Sequence, residues 1–304
     1  MNSRSANTTA AANQIRHDAE EAAQNFPSLL LEAERIAATV AAGVHGRRRA
    51  GAGETFWQHR PYAFGDPVSS IDWRQSARTA DRLYIRQNEW EAPAALYIWR
   101  DPSRSLDYAS QKNWPTKRRR ADVLSIALAI LLSQAGERIG VLGDARPPVM
   151  GRTAPERILE ALQVDEYNDA ADAPRSIRLR AGDRVVFISD FYTDDEFITD
   201  SVRMTSKAGA HGALLQICDP SEEEFPFEGR TEFEDLESPD RLIFGDAGAI
   251  GEDYRALFQA HRTSIEAVAH RAGWSFISHR TDKPAQHALL ALFAAVGDQR
   301  LWTS

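Results

Sequence analysis

The sequence predicts an α/β protein on a doubly wound, mostly parallel sheet, with an N-terminal helix and a small β-rich layer before it. Three observations predict this. From Ala94 onward, short apolar runs alternate with helix-length segments, the pattern that parallel strands joined by crossover helices produce. The run RVVFIS is apolar almost throughout, as strands are when both sheet faces are covered. Two of the runs end in a carboxylate, Asp101 and Asp190, at the strand ends where open α/β sheets collect ligands.

Taken in order, residues 1–14 are small and polar, with too little apolar surface to order themselves. An N-terminal helix is expected within 15–45, where Leu30, Ala33, Ala37, Val40 and Ala41 recur at helical spacing before GVHGRRRAGAG stops it. Residues 46–93 form the β-rich layer, dense in aromatics and arginines, with a turn signal at Gly65-Asp66-Pro67. Within it Leu83 and Ile85 alternate with Arg82, Tyr84 and Arg86, as in a half-exposed strand.

The main domain is expected over 94–300, with no internal repeat. Its strands are ALYIW (95–99), IGVLGD (139–144), RVVFISD (184–190), ALLQIC (213–218) and WSFIS (274–278). Its helices are expected at 120–136, 155–162, 194–209, 253–273 and 284–297. The insert at 219–246 is strongly acidic and reads as a solvated flap, with a hairpin turning at Glu228-Gly229; an electrostatic docking surface is the alternative. KRRR at 117–120 reads as a solvated lead-in to a helix beginning near Ala121-Asp122, because cations oppose a helix N-terminus; phosphate binding is the alternative.

Composition narrows the function classes. The chain has 304 residues, of which 43% are hydrophobic, enough for a substantial core. A net charge of −8 argues against a general nucleic-acid binder. The one cysteine, Cys218, ends an apolar run, as a buried inert thiol in a reducing cytoplasm would. The N-terminus lacks the apolar core of a signal peptide, and VLSIALAILL (123–132) is too short to span a bilayer, so no direct membrane insertion is expected. Motifs for a P-loop, a zinc protease and an α/β-hydrolase nucleophile are absent.

The most informative stretch is YIWRDPSRSL, where Asp101 closes a strand and Ser103 and Ser105 follow at alternate positions. If the strand ending in Asp190 is its neighbour, both carboxylates face one crevice and need a cation or basic side chain between them. Magnesium takes oxygen ligands at about 2.1 Å and keeps several of its waters. The hydroxyls are weak neutral ligands, so a carboxylate from elsewhere is free to complete the shell. That is a binding device rather than a hydrolytic centre. A metal-free turn of the same shape is the competing reading, with Arg100 pairing with the carboxylate.

D-x-S-x-S after one strand and an aspartate after a later one resemble the metal-ion-dependent adhesion site of von Willebrand factor A domains. The block GAGETFWQHRPYAFGDPVSSIDWRQSARTADRLYIRQNE and the ending HRTDKPAQHALLALFAAVG resemble bacterial domain-of-unknown-function family 58, over roughly Gly46 to Gly297. That resemblance implies a von Willebrand factor A-like fold, and members are often encoded beside MoxR-type AAA ATPases and thought to work with them. It places Asp101, Ser103 and Ser105 in the first metal loop and Asp190 in the third. For the second loop, which normally gives a threonine, Thr153 is the candidate, with helix capping as the other reading. Arg60, Asp66, Asp72, Trp73 and Arg78 match the family's charged signature, either as a partner-contact surface or as an internal ion-pair network.

The expectation is therefore a cytoplasmic, non-enzymatic adaptor that binds Mg²⁺, with Mn²⁺ able to substitute, and serves a MoxR-type ATPase and its client. A metal-free scaffold of the same fold is one rival. A metal-dependent hydrolase using Asp144 or His279 as base is the other.

Overall fold

The computed structural model describes residues 30–41, 56–63, 68, 71–78, 82–88, 94–164, 179–192, 195–236 and 240–297. The tail expected at 1–14 lies outside them. The chain divides into two compact units, one of residues 1–44 with 94–304 and one of residues 45–93.

Helix α1 (30–41) buries Ala33, Ala37 and Val40 of the expected stripe in the core of the larger unit, together with Ile36, while Leu30 and Ala41 are partly buried against it. In the smaller unit, strand β1 (Phe56–Pro61) pairs antiparallel with β2 (Tyr84–Asn88), and the short helix α2 (Trp73–Ser76) lies between them in sequence. Asp72 caps α2 by accepting from the backbone N–H groups of Arg74 and Gln75. Ile71 bridges Ile85 antiparallel, and both are buried.

The larger unit continues with β3 (Ala95–Arg100), α3 (Lys117–Gln134), β4 (Arg138–Val141), α4 (Thr153–Val164), β5 (Arg184–Ser189), α5 (Asp195–Lys207) and β6 (His211–Cys218). Then come α6 (Pro220–Glu224), β7 (Thr231–Glu234), β8 (Arg241–Phe244), α7 (Gly251–Arg271), β9 (Ser275–Arg280) and α8 (Ala285–Val296). Five strands form one parallel sheet in the order β4-β3-β5-β6-β9. The order reverses between β3 and β5, which makes their carboxyl ends a topological switch point.

Successive side chains of each strand enter opposite cores. Leu96, Ile98, Val186, Ile188, Leu215 and Ile217 pack with α1, α3, α4 and α8. Tyr97, Trp99, Val185, Phe187 and Leu214 pack with α5, α7 and Trp274. This alternation is the period of two expected of strands sandwiched between helical layers. Helix α3 is buried over most of its circumference, from Ala121 to Leu132, which explains why its sequence shows no polar face.

Three expectations need correction. The strand foreseen at 139–144 stops at Val141, and the chain returns so that Val149 bridges Ile139 antiparallel. The hairpin in the acidic insert does not turn at Glu228-Gly229; β7 pairs with β8, and the connection runs through 235–240. Gly229 takes a positive φ of 64° before β7 begins, so it is a lead-in bend. Finally, KRRR is not a solvated lead-in. Thr116 caps α3, its hydroxyl accepting from the N–H of Arg119, so the helix starts at Lys117. The cations are tolerated there because each has a partner: Arg118 with Asp107, Arg119 with Glu32, and Arg120 with the carbonyls of Thr281 and Lys283.

Candidate functional site

Asp101 follows β3 directly, and its N–H donates to the Ile188 carbonyl at 2.9 Å, extending the pairing with β5. Asp190 follows β5. The two predicted carboxylates thus leave adjacent strands at the switch point, and both are buried, at 0% and 1% exposure. One oxygen of Asp101 accepts from the N–H of Ser103 at 2.8 Å, and the other from the hydroxyl of Ser189 at 2.5 Å. The hydroxyls of Ser103 and Ser105 lie 2.9 Å apart. Burial, and then the charge of Asp190, push the Asp101 carboxyl up from its ordinary value; the bonds from Ser189 and Ser103 act against this. The structure therefore gathers Asp101, Ser103, Ser105 and Asp190 as the sequence predicts.

Two further residues enter the site. The ammonium of Lys117, buried at 1% exposure, donates to Asp190 at 2.8 Å and to Glu222 at 2.5 Å. It lies 5.9 Å from the ring centre of Tyr108 and 5.1 Å from that of Tyr192. Burial alone would lower the Lys117 ammonium, but the charges of Asp190 and Glu222 outweigh it and hold it above its ordinary range. Glu222 is raised by its own burial, with Lys117 pulling the other way. Glu222 is fixed because it also accepts from the Asp219 N–H at 2.7 Å, closing a capping box on α6. Asp219 and Ser221 tie that helix to the loop after β3, through the Ser110 N–H and the Tyr108 hydroxyl. The start of the acidic insert is therefore built into the crevice and is not a solvated flap.

The backbone is strained at this point. Phe191, next to Asp190, adopts φ of 62°, a left-handed conformation that costs a non-glycine residue about 1 kcal/mol or more. Its N–H donates to Ser189 at 2.7 Å, and its carbonyl lies 3.0 Å from His261. The kink lets Ser189 reach Asp101 while Asp190 meets Lys117.

Arg100 does not fill the gap. Its guanidinium turns toward α3 and α4, meeting Asp122 at 3.0 Å, the Leu162 carbonyl at 2.9 Å and the carbonyl, not the carboxylate, of Asp101. Thr153 is not brought to the site. It begins α4, is exposed and bonds the Met150 carbonyl, whereas Leu162 near the other end of α4 meets Arg100. Nine residues of helix separate the two by roughly 13 Å. The antiparallel return to Val149 causes this, since it carries the chain away from the crevice before α4 climbs back.

The signature residues of the smaller unit divide. Asp72 lies 3.0 Å from His59, and the Gln75 N–H first, then His59, hold its carboxyl below the ordinary range. Trp73 is 61% exposed, and Arg78 is also exposed. Arg60 lies on β1, and Asp66 falls outside the described residues.

The donor set suits a hard divalent cation. It offers carboxylate and hydroxyl oxygens: Asp190 and Glu222 share the Lys117 ammonium, whereas the Asp101 carboxylate meets the Ser103 N–H and the Ser189 hydroxyl. Among the described residues no three His, Cys, Asp or Glu side chains cluster as ligands, so the hydroxyls of Ser103 and Ser105 would have to share the ion.

Residues 58–264, more than half of the chain, match the family model described as "Protein of unknown function DUF58". The protein belongs to the DUF58 family. Two mycobacterial proteins are similar along most of this DUF58 chain: Uncharacterized protein Rv1480 of Mycobacterium tuberculosis and Uncharacterized protein Mb1516 of Mycobacterium bovis. Each is 27% identical over 249 residues, covering 77% of this chain and 76% of its own. Among solved structures, an aerotolerance-related membrane protein of Bacteroides fragilis aligns over 67% of this chain and 98% of its own, with 14% identity and a TM-score of 0.40. The conserved hypothetical protein BatB of Bacteroides thetaiotaomicron aligns over 69% of this chain and 100% of its own, with 12% identity and a TM-score of 0.38. Among the described residues no helix is long and apolar enough to cross a membrane.

Proposed function

We propose that this DUF58 protein is a non-enzymatic, von Willebrand factor A-like adaptor that docks partners through the crevice at the end of β3. In this reading Asp101, Ser103 and Ser105, with Asp190, hold a Mg²⁺ or Mn²⁺ ion, and an Asp or Glu of the partner completes its shell. The supporting observation is the convergence of those four residues at the switch point, with the Asp101 carboxylate buried beside Asp190 and bonded by the Ser103 N–H and the Ser189 hydroxyl. A MoxR-type AAA ATPase is the proposed partner, in the cytoplasm, and remodelling of a client complex the proposed outcome.

The engagement of both candidate bases supports the non-enzymatic reading over the hydrolase alternative. Asp144 is engaged twice by Arg146, and His279 accepts from Arg120. The metal-free scaffold keeps one observation in its favour, the Lys117 ammonium already on Asp190. Capture of the ATPase on immobilised protein, in Mg²⁺ and in EDTA, separates the two. The adaptor reading expects capture in Mg²⁺ only, lost in Ser103→Ala with Ser105→Ala. Capture that persists in EDTA and in the double variant refutes it.

A further inference from the structure

We infer that Lys117 is a resident cation of the crevice, which keeps Asp190 and Glu222 assembled without metal and sets how tightly a divalent ion binds beside it. This rests on the reading of Asp101, Ser103 and Ser105 as the ion-holding arm.

The geometry gives Lys117 no other occupation. Its backbone is fixed at the first position of a capped helix, and its side chain is sealed at 1% exposure. The ammonium ends between Asp190 and Glu222, under the rings of Tyr108 and Tyr192. Glu222 cannot swing away freely, because its second oxygen serves the capping box of α6. Lys117 is thus a cross-link between the end of β5, the start of α3 and the helix that opens the acidic insert.

Neutralisation within the crevice is uneven. Asp190 and Glu222 share the ammonium, whereas the contacts to the Asp101 carboxylate are neutral donors, the Ser103 N–H and the Ser189 hydroxyl. A divalent ion is therefore held chiefly by the Asp101 arm, and more weakly by Asp190, whose oxygens already accept from Lys117 and the Tyr192 N–H. At an effective dielectric of about 20, a unit and a double positive charge within about 10 Å repel strongly enough to weaken binding by at least roughly tenfold. The fold keeps its crevice closed in the absence of metal, at the cost of metal affinity.

The test is a Mn²⁺ titration, read by calorimetry, of wild type, Lys117→Met and Lys117→Arg, with thermal melting in EDTA and in Mn²⁺. Lys117→Met is expected to bind Mn²⁺ at least tenfold more tightly than wild type and to melt lower in EDTA, with Mn²⁺ restoring it. Wild type and Lys117→Arg should melt higher than Lys117→Met in EDTA and gain less from Mn²⁺ than it does, because they bind the ion more weakly. Should Lys117→Met fail to fold, Lys117→Met with Glu222→Gln removes the ammonium and one of its carboxylates together, and a gain in the same direction is expected, smaller because the lost carboxylate also attracted the ion. Equal affinities within twofold overturn the role of Lys117 and leave the metal-binding adaptor standing. Tight binding in the variants but none in wild type upholds Lys117 and removes the metal from the proposed function. Heat from none of the proteins overturns both.

Discussion

His279 offers the most direct check on how the buried polar groups are arranged. It sits on β9 at 5% exposure, and its Nε2 lies 3.2 Å from an Arg120 guanidinium nitrogen. Arginine can only donate, so Nε2 accepts and the ring is neutral. Burial first, and then the Arg120 charge, bring His279 down from 6.5 to about 4; Asp282 opposes this. Unfolding restores the ordinary value, so the unfolded chain binds a proton that the folded one refuses as pH falls below 6.5. Stability is therefore intact above that pH and lost on acidification, by about 3 kcal/mol at pH 4. The perturbation is His279→Gln, whose side-chain oxygen can still accept from Arg120 and does not titrate. Urea unfolding of both proteins from pH 7.5 to 4 gives the difference, with the shared carboxylates cancelling. Wild type should lose about 3 kcal/mol more than the variant across that range. Parallel curves, within about 0.5 kcal/mol, would refute the buried neutral imidazole.

Three other outcomes follow from packing and hydrogen bonding. Gly212→Ala would drive a methyl against the Val185 carbonyl and to 2.7 Å from Trp274, and the backbone atom cannot yield; a loss at the upper end of about 1–3 kcal/mol is expected in chemical denaturation. Asp183→Ala should cost about 1–3 kcal/mol by the same assay, because the carboxylate accepts from the N–H groups of Ala95 and Arg180 and so anchors the start of β3. Asn at that position keeps one acceptor and should recover part of the loss. Leu128→Ala, in the fully buried middle of α3, should cost about 2–5 kcal/mol and lower the melting temperature without altering Mn²⁺ binding.

Much of the main domain was legible because periodicity is local. The run at 184–189 could only be a covered strand, and α3 was visible from its apolar length. Asp101, Ser103, Ser105 and Asp190 were legible for a related reason: strand ends are marked in the chain, and neighbouring strands bring them together. Lys117 was not. Its partners stand 73 and 105 positions away, and a cation at a helix N-terminus is unfavourable until they are known. Thr116 was the available signal, a cap immediately before KRRR that places the helix start at Lys117. Asp219-Pro220-Ser221-Glu222 likewise spells a capped helix start inside a stretch that acidity alone made look solvated. Thr153 misled because Gly143 and Pro147-Pro148 mark a loop without showing that Val149 returns antiparallel against Ile139.

Cys218 lies at the end of β6, 1% exposed, one residue before the aspartate that caps α6. Burial pushes its thiol up to about 11, so the closed protein holds almost no thiolate to react at neutral pH. The chain has one cysteine, and every alkylation event must therefore come from a moment when this corner has parted. The rate at which a small electrophile marks the protein becomes a clock for that breathing, readable by intact mass on unmodified material without an engineered label.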